Sequence, residues 1–440
     1  MLKQSPIESV TRLFFIGLII FGIPINLLWN RAYDSSSGWT IGEWLISYAS
    51  GFVRRGLPGS LIYNLSVHFH FPIIGLVWTL SLFFYLLLLI IVSKYIRPYF
   101  KGVFLYSPCF LLAPVIGNFL IRKDAFLVLS YALILFAYLK ITRSGFGKIN
   151  HFLIVNLFAS IAILSHEQFG LWALPSLLML LVIILARESG FSIFCCFCGS
   201  IFFLLPSFVI FALTVYFHGS SMTALTIHNS WLAIPEKLQF MNLSSSPLGA
   251  IDAIGWSQLQ GWQTSGVSLL GAFDEWIWIP AAWIFTIFIC ASLFVSSVEI
   301  GYRQVAKLVV VLQLIAFIPI FVVGFDFGRW IFNWMGVSCI TYAFVRRIID
   351  DSSRKSPVGS DNSLLPFRIR DFARSVFLIP LNSSLYSAFI LCIAIPRCCW
   401  SLRTYFILTP PYFSLYLAKQ YARLMFSNGH IPINLNHPIF

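Results

Sequence analysis

Stretches of about twenty apolar residues follow one another along almost the whole chain, and this limits the fold more than any motif does. A helix needs roughly 20 such residues to cross a bilayer, and inside lipid every backbone N–H and C=O must be satisfied internally. Of the 440 residues, 59% are hydrophobic and 10% charged, against about 25% charged in soluble domains. A soluble fold is excluded. An all-α polytopic membrane protein is expected, a single integral membrane domain over residues 1–440.

Spans are expected near 11–29, 72–93, 102–121, 125–142, 152–166, 170–187, 191–217, 276–298, 307–325, 330–346 and 375–396, about eleven with a range of 10–12. A stretch at 401–418, broken by Pro410 and Pro411, is either a twelfth span or an interfacial helix. No small-residue cleavage site follows the first run, so an uncleaved first span is expected. With the N-terminus inside, eighteen Lys and Arg fall in inner segments and seven in outer ones, leaving aside those after the eleventh span. That asymmetry sets topology. It accounts for the net charge of +13 without a nucleic-acid partner. The outer segments 30–71 and 218–275 are long, and the inner segment 348–374 is a solvated connector.

Four polar clusters interrupt the apolar runs, all at the outer end: Gly51 to Gly56 with Arg54 and Arg55, then Arg122-Lys123-Asp124, His166-Glu167-Gln168, and Asp326 to Trp330 with Arg329. A charge at the bilayer centre costs about 2.5–3.5 kcal/mol on insertion scales unless it snorkels, pairs or lines a wet cavity. Repeating that at one face suggests a shared site. Arg54 and Arg55 stand among Gly51, Gly56 and Gly59, where backbone approaches closely and arginine holds phosphate with two parallel bonds. The plainer alternative is a pair of snorkelling arginines. Arg122 and Lys123 form a candidate phosphate clamp, with Asp124 as support, or an ordinary hairpin loop. His166 and Glu167 suit proton transfer or the orientation of a hydroxyl, or simply a polar helix end. Asp326 and Arg329, three apart, can pair across one turn, with Trp330 packing the arginine.

Ahead of the first cluster lie Asp34 and then Trp44, Leu45, Tyr48 and Phe52 on one helical face, which predicts an amphipathic helix at the outer surface over about Thr40 to Phe52. Cys195, Cys196 and Cys198 sit in an apolar run without His or acid beside them and are small apolar filler. No metal set can be assembled and no cofactor is expected, with a divalent metal left open.

A first span, an outer loop with an early Asp34, and a surface helix before the second span together resemble membrane glycosyltransferases of the GT-C fold. The resemblance implies Asp34 as catalytic base, a polyprenyl-phosphate or polyprenyl-diphosphate sugar donor, and a lipid-linked or glycan acceptor. It further implies a bacterial inner membrane location with the site facing the periplasm. Arg54, Arg55, Arg122, Lys123 and Arg329 would then hold phosphate, and His166 and Glu167 would orient the acceptor. Size, span count and outer arginines also resemble bacterial O-antigen and capsule assembly proteins, among them repeat-unit polymerases. A lipid-linked oligosaccharide flippase or other transporter is a third reading. It is opposed by charges gathered at one surface and by the lack of an internal repeat.

Overall fold

The structure is a computed structural model, and it describes residues 6–144, 149–189, 191–235, 246–247, 249–257, 259–261, 263–264, 278–323, 326–355, 378, 381–394 and 409–426. Among the described residues the regular structure is helical throughout. Five stretches are long and apolar enough to cross a membrane: Pro6–Leu28, Ile73–Tyr99, Gln168–Ala186, Ile193–Tyr216 and Ile300–Phe321. Asp124–Leu139, Asn150–Ser165 and Trp283–Ser296 are apolar but shorter. This is a membrane-embedded helical protein, and the expected count of about eleven full spans is not reached among the described residues.

The helices are α1 (Pro6–Ser37), α2 (Gly56–Phe69), α3 (Ile73–Ile91), α4 (Gly102–Tyr106), α5 (Ala113–Ile116), α6 (Asp124–Ser144), α7 (Ile149–Ser165) and α8 (Gln168–Ser189). They continue with α9 (Ile193–Tyr216), α10 (Ser221–Leu232), α11 (Gly249–Asp252), α12 (Trp278–Ser296), α13 (Arg303–Val323), α14 (Phe327–Lys355), α15 (Ser383–Cys392) and α16 (Pro410–Phe426). Helix α6 packs on α7 and α3, α9 on α7 and α8, and α13 on α8 and α14. Helix α14 is the centre of the bundle, because every residue from 327 to 344 is buried. That position tolerates its polar residues, which meet protein rather than lipid. Midway along the bundle Tyr131 of α6 bonds to Ser176 of α8 at 2.6 Å and Thr341 of α14 at 2.9 Å, and Gln313 of α13 donates to Ser176 at 2.7 Å.

The run 102–121 is not one transmembrane helix. It folds as two short helices, α4 and α5, joined by turns, with nearly all of its residues buried. Its direction is antiparallel to α3: Ser93 meets Tyr106 at 3.0 Å, the Tyr85 hydroxyl donates to the Leu111 carbonyl at 2.6 Å, and the Ser81 hydroxyl donates to the Ile121 carbonyl at 2.9 Å. Asn26 of α1 donates to the Val115 carbonyl at 2.9 Å. Buried broken backbone survives only where protein supplies the missing partners, and these side chains do so.

The surface helix expected over Thr40 to Phe52 does not form. Two single 3-10 turns, Gly42–Leu45 and Tyr48–Ser50, take its place, and residues 40–47 are buried. Trp44 and Leu45 face a second, smaller apolar core with Ile62, Val77, Ile227 and Trp231. The Trp44 indole donates to the Ile121 carbonyl and the Trp231 indole to the Leu45 carbonyl at 2.7 Å. The segment is thus a plug between α2, α3 and α10 rather than an amphipathic float. Its sequence has helical spacing on one face, but burial of residues 40–47 on every side overrides that pattern.

Other boundaries shift in the same way. Asp34 lies within the range of α1 rather than in a loop, and its side chain is outside the described residues, as are Lys237, Trp262 and Asp274 of the segment 218–275. The connector expected at 348–374 begins as helix, since α14 runs to Lys355, and 356–374 is outside the described residues. Within 375–396 the described helix is α15, ten residues long. Residues 401–408 are outside the described residues, and α16 begins at Pro410.

Candidate functional site

The four clusters converge at one end of the bundle because each lies where a helix starts or stops. Arg54 and Arg55 precede α2, Lys123 precedes α6, His166 and Glu167 separate α7 from α8, and Asp326 precedes α14. Each break is built locally. Carbonyls of His166 and Glu167 accept from Phe169 and Gly170 at the start of α8 (3.1 and 2.9 Å), and the Asp326 carbonyl accepts from Arg329 and Trp330 (3.0 and 3.2 Å). Arg55 holds a left-handed backbone with φ +64°, a conformation costing a non-glycine residue about 1–2 kcal/mol. Its side chain explains why it stays there: the guanidinium grips Glu167 with two nitrogens, Nε at 2.6 Å from Oε2 and Nη2 on Oε1. Arg54 Nη1 reaches the same carboxylate at 3.4 Å.

The centre of the site is Glu43, which the sequence reading passed over. Its side chain is 2% exposed, yet it lies 3.2 Å from His166 Nε2, 3.6 Å from Arg329 Nη2 and 3.6 Å from Arg122 Nη1. Burial alone would raise its carboxyl, but Arg329, His166 and Arg122 together hold it well below the usual carboxylate range. Glu167 follows the same logic: burial raises it, Arg55 and His166 outweigh burial, and it too stays ionised. His166 is neutral, since burial and the Arg55 charge hold the imidazole below its usual value. Its Nδ1 accepts the backbone N–H of Gln168 at 3.3 Å, which leaves the ring proton on Nε2, facing Glu43.

Arg329 is the second hub. Its Nε donates to Asp124 at 2.8 Å and its Nη1 to Asp326 at 2.7 Å. Asn333, one turn along α14, donates to the other Asp124 oxygen at 2.7 Å. Arg122 joins this group through Asp326 at 3.1 Å. Asp124 occupies the first turn of α6, where the helix dipole favours a negative charge.

Two expectations need correcting. Lys123 is turned inward and fully buried, its Nζ donating to the Ser165 carbonyl at 3.0 Å and lying 5.7 Å from the centre of the Trp44 ring. It ties α6 to α7 and does not face an incoming phosphate. Burial pushes its ammonium down to about 7. Trp330 does not pack Arg329 but stacks edge-on against Phe327 and Phe321, at 5.3 and 5.7 Å.

The site is open along one rim. Arg54, Arg55 and Arg122 side chains keep 24, 21 and 17% exposure, while Glu43, Asp124 and Lys123 beneath them keep almost none. Among the buried atoms without a hydrogen bond are Arg54 Nε, Arg329 Nη2, Glu43 Oε1 and Gln168 Nε2. Arginines at a rim above a buried, ionised carboxylate suit an anionic ligand that also carries an acidic proton. No grouping of three His, Cys, Asp or Glu among the described residues suits a metal. The sequence offers for Glu43 only its place beside Trp44, next to a stripe whose spacing was assigned to a surface helix. Comparison with protein-family models, with curated proteins and with solved structures gives no match.

Proposed function

We propose that the chain is a membrane glycosyltransferase taking a sugar from a polyprenyl-phosphate or polyprenyl-diphosphate donor at the outer face of the bacterial cytoplasmic membrane, in surface-polysaccharide assembly. The observation that carries this reading is the buried, ionised Glu43 beneath the partly exposed Arg54, Arg55 and Arg122. In the reaction an acceptor hydroxyl bonds to the anomeric carbon of the sugar as that carbon's bond to the phosphate oxygen breaks. The bonding pair leaves with the phosphate, which the rim arginines neutralise. The hydroxyl proton passes to Glu43. A carboxylate clamped by arginines is a weak base, and the incoming phosphate resolves this. It draws Arg122 and Arg329 towards itself, so Glu43 regains basicity when substrate is bound. In this proposal Glu43, buried and ionised among His166, Arg122 and Arg329, takes the part that the resemblance gave to Asp34.

The test is transfer by the full-length protein in liposomes, with short polyprenyl-phosphate and polyprenyl-diphosphate sugars as donors and glycan or lipid-linked acceptors. Consumption of donor with a single added sugar is expected. A ladder of repeat units moves the assignment to a polymerase acting through the same site. Intact donor that crosses the bilayer unreacted makes the protein a transporter and ends the proposal.

A further inference from the structure

Helix α3 does not stop cleanly at the end of the bundle opposite Glu43. After Ile91 it widens into a π-helical turn over Val92–Ile96 and closes in a 3-10 turn at Arg97–Tyr99. Such widened turns are uncommon and frequently mark functional positions. This one borders a shallow, partly open groove between α3, α6 and α14, lined among others by Tyr95, Tyr99, Leu135, Ala343, Phe344 and Arg347. The lining is apolar apart from the two phenols and one guanidinium.

The adjacent arginines of α14 differ. Arg346 is committed, with Asp350 at 2.9 Å, Glu299 at 3.3 Å and the Tyr302 ring beneath it. Arg347 lines the groove and makes no hydrogen bond or ion pair among the described residues. Lys94 on the widened turn and Arg97 on the 3-10 turn after it also have no ion pair among the described residues, Lys94 resting 5.3 Å from the centre of the Tyr95 ring. Of the nearby acids, Asp350 is held by Arg346, and Asp351 also acts on Tyr99.

We infer that this groove binds one anionic phospholipid of the surrounding leaflet, an acyl chain lying along Leu135 and Phe344 and the headgroup phosphate on Arg347, with Lys94 and Arg97 beside it. Inorganic phosphate would satisfy the cations and leave the apolar lining uncovered. An uncharged lipid would cover the lining and leave three cations unpaired. The phosphodiester of an anionic lipid does both, and basic pockets between membrane helices at the cation-rich side take such headgroups.

The experiment uses the full-length protein in nanodiscs holding equal phosphatidylglycerol and phosphatidylcholine, followed by release into mild detergent and native mass spectrometry. The wild type is expected to retain phosphatidylglycerol, and R347Q to retain about five-fold less, the scale of one surface cation. A343L, which fills the groove, is expected to lose the bound lipid with all cations in place. A second readout needs no variant: phosphatidylglycerol, and not phosphatidylcholine, should raise the unfolding temperature of the wild type. Equal retention of both lipids by the wild type overturns the proposal, as does unchanged retention by R347Q and A343L. Displacement by excess inorganic phosphate overturns it too, since that assigns the site to free phosphate.

Discussion

His166 presents its Nε2 to Glu43 Oε1 at 3.2 Å while the backbone N–H of Gln168 occupies its Nδ1 at 3.3 Å. One backbone donor at the start of α8 therefore sets which ring nitrogen carries the proton and aims it at a carboxylate on a different part of the chain. Arg329 and Arg122, together with His166, hold that carboxylate ionised.

Replacing Glu43 by Gln keeps the shape and removes the proton acceptor. Transfer is expected to fall about 10²–10⁴-fold, the usual contribution of a positioned acid or base, with donor binding retained. Initial rates and donor affinity of E43Q and D34N in liposomes check this. Full activity in E43Q, with loss in D34N, returns the role to Asp34.

Arg329 is the shared partner of Asp124, Asp326 and Glu43. Breaking a buried ion pair from one side costs about 3–5 kcal/mol because the charge left behind has no partner. R329Q is therefore expected to unfold that much more easily, in a titration against a denaturing detergent. R329Q/D124N, which removes the Asp124 charge as well, should recover part of the loss. Additive losses in the double variant contradict the pairing.

Gly59 is the point where α2 passes the plug that carries Glu43. A Cβ there would fall on the Ile46 carbonyl and lie 2.9 Å from the Leu45 carbonyl carbon, and backbone cannot swing aside as a side chain does. G59A is expected to cost about 1–3 kcal/mol, as overpacking does, and to lower transfer by shifting Glu43, although Gly59 touches no charged group. A fully stable, fully active G59A would show that the plug adjusts freely.

Lys123 gives the protein an alkaline signature. Its folded value of about 7 lies below the ordinary 10.5, so between those limits the unfolded chain binds a proton that the folded chain lacks. Stability from this group rises with pH across that window and is lost as pH falls through about 7. Unfolding temperatures of the wild type and K123M should diverge between pH 7 and 10.5, only the wild type gaining. Parallel curves would mean that Lys123 stays charged in the fold.

The legible part of the site was its list of charges at the ends of apolar runs. Arg54, Arg55, Arg122 and Arg329 stand out in any reading of topology, because each opposes the charge bias. The pairing of Asp326 with Arg329 was equally readable, since residues three apart on a helix are neighbours. Glu43 was not, because its partners Arg122, His166 and Arg329 come from three other elements and only packing brings them to one carboxylate. Lys123 was misread for the same reason: a cation at a helix break can face out or in, and the Ser165 carbonyl draws it in.

By itself the sequence determined that this chain is helical, embedded in a membrane, and charged chiefly at the ends of its apolar runs. An apolar run of that length has one economical way to satisfy its backbone in lipid. The tertiary structure alone decided that 102–121 folds in pieces and that 40–47 is a buried plug rather than part of a surface helix. Hydropathy records how apolar a segment is and not whether lipid or protein surrounds it. The difference lies with donors such as Asn26, Ser81 and Tyr85, which reach broken backbone only once the helices have packed.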